Sequence, residues 1–158
     1  MMHIAFYKGR SRFYDRLTQW WLRGPYSHCE LVLETKADGQ SVCASSSAKD
    51  GGVRTKTMTL NPDHWDLVPV AGDVHDAWHW MSGHAGQGYD YIGFAGFIAR
   101  VLGHGKVRWI CSEAVAEMLD MPESWRFDPC SLWAALSRPS QPTTQPAQAG
   151  FFTSGRGD

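Results

Sequence analysis

Residues 107–118, VRWICSEAVAEM, constrain this chain more than any other stretch. A short apolar run, Val107 with Trp109 and Ile110, arrives at Cys111. Beyond it Ala114, Val115, Met118 and Leu119 recur at helical spacing. A strand-like segment therefore delivers a cysteine to the first turn of a helix. There the unpaired backbone N–H groups and the positive end of the helix dipole stabilise a thiolate. Position alone does not make Cys111 a nucleophile, because free cysteines most often serve as small buried hydrophobes.

The upstream half reads as sheet. Residues 3–7 form a short strand. Residues 27–35 alternate, with His28, Glu30 and Val32 on one face and Cys29, Leu31 and Leu33 on the other. Asp38-Gly39 signals a hairpin into a strand over 40–45. Residues 45–52 are a polar, glycine-rich loop, followed by strands over 53–60 and 65–70. Between the first two strands, residues 10–22 carry Phe13, Leu17 and Trp20 or Trp21 at helical spacing. Asp15 and Arg16 are expected on the wet side of that helix, with the Trp pair in the core or at an interface. A helix over 74–82 and an apolar, helix-like segment over 92–102 follow. Residues 131–136 read as a last short helix. From 139 the composition turns to Pro, Gln, Thr, Ser and Gly, predicting a flexible tail over 139–158 behind a single domain of residues 1–138.

The totals exclude some functions. The 158 residues suit one domain with a substantial core. Fifteen basic against sixteen acidic residues, a net charge of -1, give no electrostatic argument for nucleic acid or an anionic membrane. No apolar run is long enough to cross a bilayer, so no integral membrane segment is expected. The opening residues are strand-like and too short for a secretion signal. We therefore expect reduced thiols at Cys29, Cys43, Cys111 and Cys130, and a protein that is cytoplasmic or acts within a phage-infected host. His75 and His79 lie one helical turn apart, a spacing that ligates metals, but no glutamate accompanies them in the zincin pattern. No metal or other cofactor is expected.

A thiol working near neutral pH needs a base beside it and a group that orients the base. His28 is the best placed of the seven histidines, at the mouth of a strand that would hold it rigidly. A lone strand histidine is commonly structural, so it is the pairing with Cys111 that carries weight.

These stretches also carry a resemblance. Tyr26-Ser27-His28-Cys29-Glu30-Leu31-Val32-Leu33, then a hairpin and the 44–52 loop, then Trp109-Ile110-Cys111-Ser112-Glu113, resemble the circularly permuted branch of the NlpC-like papain-fold cysteine hydrolases. In that branch the histidine strand precedes the cysteine helix, as here. The resemblance spans roughly residues 1–136. It implies an α+β fold with a central antiparallel sheet packed against helices and the nucleophile at a helix N-terminus. It further implies a thiol hydrolase of amide or peptide bonds, with Cys111 as nucleophile and His28 as base. Its substrates would be a peptide, a peptidoglycan fragment or a lipid acyl compound. The alternatives are a non-catalytic binding or phage structural module, and an acyl hydrolase or acyltransferase using the same thiol on lipids.

The orienting residue is expected to be Glu30 on the same strand face, or Ser45 on the next strand. Against Glu30, residues i and i+2 are separated by roughly 6–7 Å of strand. Tyr26, Tyr89 and Tyr91 are expected as groove residues, with Tyr89 or Tyr91 donating to an oxyanion or substrate. Ser45 and Ser112 complete the expected groove or oxyanion support. Glu113 is expected to cap its helix or to pair with Arg54 or Arg108.

Overall fold

Alternation along two strands, β1 (Met2–Tyr7) and β2 (His28–Thr35), sets which way the sheet faces. Ile4, Phe6, Cys29 and Leu31 are fully buried on one face. Ala5 and Val32 occupy the other, beside Cys43. The computed structural model describes residues 1–91 and 108–137. In chain order the remaining strands are β3 (Ser41–Ser47), β4 (Gly52–Met58), β5 (Trp65–Val70), β6 (Gly88–Tyr89) and β7 (Arg108–Trp109). They form one seven-stranded sheet in the order β5-β1-β2-β3-β4-β6-β7. The sheet is mixed rather than wholly antiparallel, because β6 and β7 run parallel. Neither two-residue strand carries enough alternation to be read in advance.

Among the described residues there are four α-helices: α1 (Phe13–Trp21), α2 (Val74–His84), α3 (Cys111–Met118) and α4 (Pro129–Leu136). The main core joins the Ile4, Phe6 and Leu31 face of the sheet to Ala77 and Met81 of α2, Val115 and Met118 of α3, and Leu132 of α4. Each large aliphatic side chain closed off in this way contributes about 1.5–3 kcal/mol. Asp128 caps α4 through the Cys130 and Ser131 N–H groups, with Pro129 preset at the first position. The Asp38-Gly39 turn forms as the sequence implies, Asp38 accepting from the Gln40 N–H at 2.9 Å and Gly39 at φ 80°. The apolar 92–102 segment and the 139–158 tail lie outside the described residues.

The first helix corrects the expectation. Asp15, Thr18 and Gln19 face inward, while Phe13 is 72% and Trp20 71% exposed. The inward face is polar because it satisfies backbone carbonyls of the flanking connections. Gln19 Nε2 donates to the Gly9 carbonyl at 3.1 Å and to the Pro25 carbonyl at 2.8 Å, and Gln19 Oε1 accepts from Arg10 Nε. Leaving those buried groups unmatched costs more than exposing apolar surface that another body can cover.

Candidate active site

Three elements fix the approach to Cys111. Strand β7 lies beside β6, and the Trp109 carbonyl accepts from Ser46 Oγ at 2.6 Å and from the Asp90 N–H at 3.2 Å. The Trp109 indole donates to Gln87 Oε1 at 2.6 Å. Ile110 then stays extended as the N-cap, and Cys111 is the first residue of α3. No side chain of the N-cap closes the helix start. Glu113 reaches back to the Ile110 N–H, the capping role expected of it, while Arg54 pairs elsewhere. Cys111 is only 5% exposed.

Opposite it, His28 opens β2, its side chain 23% exposed. One ring nitrogen, Nε2, lies 2.9 Å from Glu30 Oε1. The strand spacing that argued against Glu30 is bridged because both side chains are long and lean along the strand. Glu30 is itself 1% exposed, and Arg54 grips both of its oxygens, Nη1 to Oε2 at 2.7 Å and Nη2 to Oε1 at 2.5 Å. Arg54 Nε donates in turn to Asp50 Oδ2 at 2.9 Å. The result is a line of alternating charge, Asp50, Arg54, Glu30, His28, ending at Cys111. With Nε2 engaged by Glu30, Nδ1 is the ring nitrogen left for the sulfur.

The titration of the pair follows from this line. Hydrogen bonding from the Cys29 thiol is the largest influence on Cys111 and holds it well below the ordinary thiol range. Burial opposes that, and the charge and hydrogen bond of His28 reinforce it. Burial pushes the His28 imidazolium down, yet the Cys111 thiolate and Glu30 together lift it to about 10. Burial also disfavours a charged Glu30, but hydrogen bonds from His28 and Arg54 keep its carboxyl below the usual range. The favoured state near neutrality is thus a thiolate beside an imidazolium.

The other expected residues divide. Tyr89 is 8% exposed and stacks edge-on with Tyr91 at 5.0 Å. Burial and the Cys111 charge push its phenol up, so the hydroxyl keeps its proton. Tyr91 is exposed, and its hydroxyl donates to the Ala48 carbonyl at 3.0 Å. Tyr26 is not a groove residue. It is 4% exposed, packs against Phe6 and Trp133, and donates to Asp66 at 2.8 Å.

Both serine hydroxyls are spent on backbone carbonyls. Ser112 Oγ donates to the Phe127 carbonyl, pinning α3 to the following turn. Ser45 is fully buried and donates to the Cys29 carbonyl at 2.7 Å, so it does not orient His28. Ser45 pairs with Arg54 across β3–β4, and the Leu31–Ala44 pairing puts Glu30 on its other side. A side chain as small as serine there leaves Arg54 room to cross β3 and reach Glu30.

Two members of the site went unread in the sequence. Arg54 enters the sequence reading only as a partner for Glu113, and its place opposite Ser45 comes from the β3–β4 register, in which 45–47 are strand rather than loop. Cys29 looked like plain core, and only the docking of α3 brings it to Cys111. Among the described residues no group of three His, Cys, Asp or Glu side chains gathers to hold a metal, and His75 and His79 are exposed on α2.

Comparison with protein-family models, with curated proteins and with solved structures returns no match.

Proposed function

We propose that this chain is a thiol hydrolase of permuted papain-like architecture, cleaving amide or peptide bonds through Cys111. The observation that carries the reading is the chain of contacts from Arg54 through Glu30 and His28 to a sulfur at the start of α3. It supplies the ionised nucleophile, the proton carrier and the orienting carboxylate that such chemistry needs.

The Cys111 sulfur attacks the carbonyl carbon, forming a C–S bond as the C=O electron pair moves onto oxygen. Backbone N–H groups of the first turn of α3, left open by the N-cap, face that developing charge, with the Tyr89 phenol close by. Collapse of the intermediate breaks the C–N bond, and the departing amine takes the His28 proton. Water then attacks the thioester while His28 accepts its proton, collapse breaks the C–S bond to restore the thiolate, and the acid product gives its proton to solvent. Glu30 keeps the ring oriented and stabilises its charged form, and Arg54 keeps Glu30 ionised.

The test is turnover of peptidoglycan fragments and of acyl esters by the wild type beside Cys111→Ala. Activity on either panel that the substitution abolishes supports the proposal. A wild type inert on both, or activity that survives in Cys111→Ala, overturns it.

A further inference from the structure

The outward side of α1 is an exposed aromatic face. Phe13, Leu17 and Trp20 are 72%, 48% and 71% exposed along a single helix about 13 Å long. The residues flanking it are basic. A cleft of about 840 Å³ opens beside Trp20, with Arg10, Arg16 and Arg23 on its walls. All three arginines are exposed, and among the described residues none of them is ion-paired with a carboxylate. Asp15, the one acidic residue of the helix, faces inward. The near-zero charge of the whole chain therefore conceals a local concentration of positive charge around an aromatic face.

We propose that this face is a peripheral docking surface for an anionic phospholipid bilayer. Two features choose the occupant. Tryptophan and phenylalanine projecting from a short helix suit the boundary between headgroups and acyl chains, where amphipathic rings partition. Guanidinium groups lining a cleft next to them match phosphate oxygens in geometry as well as charge. The helix is already anchored to the protein by Gln19, so it lies flat with its apolar side outward without a folding step. Asp15 also feels the charge of His28, which puts the helix at the His28 end of the sheet. Docking would hold that end of the molecule against the lipid surface. The surface does not depend on the chemistry proposed for Cys111, and Cys111→Ala should bind equally well.

Co-sedimentation with vesicles tests it. The full chain is mixed with vesicles of phosphatidylcholine alone, or of phosphatidylcholine with phosphatidylglycerol. Three basic residues near an anionic surface are expected to favour the anionic vesicles about a hundredfold, and molar salt should remove that preference. Phe13→Ser with Trp20→Ser, and separately Arg16→Glu with Arg23→Glu, should each reduce binding at least tenfold with unchanged circular dichroism. All four positions are exposed, so the fold does not rest on them. Three results would overturn the proposal. One is no binding to either vesicle, and another is equal binding to both that the charge reversals leave alone. The third is a solution dimer, dissociated by the apolar substitutions, in a chain that ignores vesicles.

Discussion

Removing the His28 ring tests the titration logic without requiring a substrate. An ordinary thiol, ionising near pH 8.5, is roughly 0.3% thiolate at pH 6, and its alkylation accelerates about 200-fold by pH 9. Cys111 held ionised by Cys29 and His28 escapes that dependence. At pH 6 it carries a larger share of thiolate than an ordinary thiol, an advantage that the lower nucleophilicity of an acidic thiolate offsets in part. His28→Ala deletes the neighbouring charge and its hydrogen bond but keeps burial, which acts in the opposite direction. The Cys111 midpoint should climb, because burial then opposes the Cys29 hydrogen bond without the imidazolium to help it. The assay is iodoacetamide labelling from pH 5 to 9, read by peptide mass spectrometry with Cys130 as internal reference. A nearly flat wild-type profile and a steep His28→Ala profile are expected. A wild-type profile as steep as that of Cys130, or identical profiles for wild type and variant, would refute the reasoning.

Glu30→Gln replaces a buried carboxylate gripped by two charged donors, so one donor must face the amide N–H₂. It should lower stability by about 3 kcal/mol in denaturant titration and turnover by about 100-fold. Glu113, pushed up to about 7 chiefly by burial from an ordinary 4.5, holds its proton in the folded state where the unfolded chain has lost it. That contribution is complete below pH 4.5 and is lost as pH rises through 7, so Glu113→Gln should be more stable than wild type at pH 8 by up to about 3 kcal/mol. Urea unfolding at pH 5 and 8 should show the gain mainly at the higher pH. Gly52 sits at φ 148°, and a Cβ there would come 1.9 Å from the Gln87 carbonyl oxygen. Gly52→Ala should therefore cost roughly 3 kcal/mol and, by shifting Gln87 away from Trp109, slow the labelling of Cys111.

Sequence reasoning reached the parts governed by local pattern. The runs at 3–7, 27–35 and 65–70 formed strands, and the alternation along 27–35 set which side chains share a face. The helix that leaves Cys111 formed where Ala114, Val115 and Met118 required it. His28 and Glu30 met because they share a strand face, which the pattern alone displays. What stayed hidden depends on partners distant in the chain. Ser45 and Tyr26 are polar groups whose hydrogen bonds close inside the fold, to the Cys29 carbonyl and to Asp66, so polarity misled about exposure. The α1 helix was inverted for the same reason. Its amphipathic pattern is real, but the carbonyls at Gly9 and Pro25 need the polar face more than the core needs the apolar one. The reach of Arg54 to Glu30 depends on strand register across β3, and register is a property of the assembled sheet.

The central claim is that the Cys111 sulfur becomes acylated. Intact-mass spectrometry after brief exposure to an activated acyl ester at neutral pH tests it most directly. The account predicts one acyl group on Cys111, released by hydroxylamine, formed at least tenfold more slowly in His28→Ala and absent in Cys111→Ala. Acylation spread evenly over lysines and all four cysteines, and unchanged in His28→Ala, would contradict it.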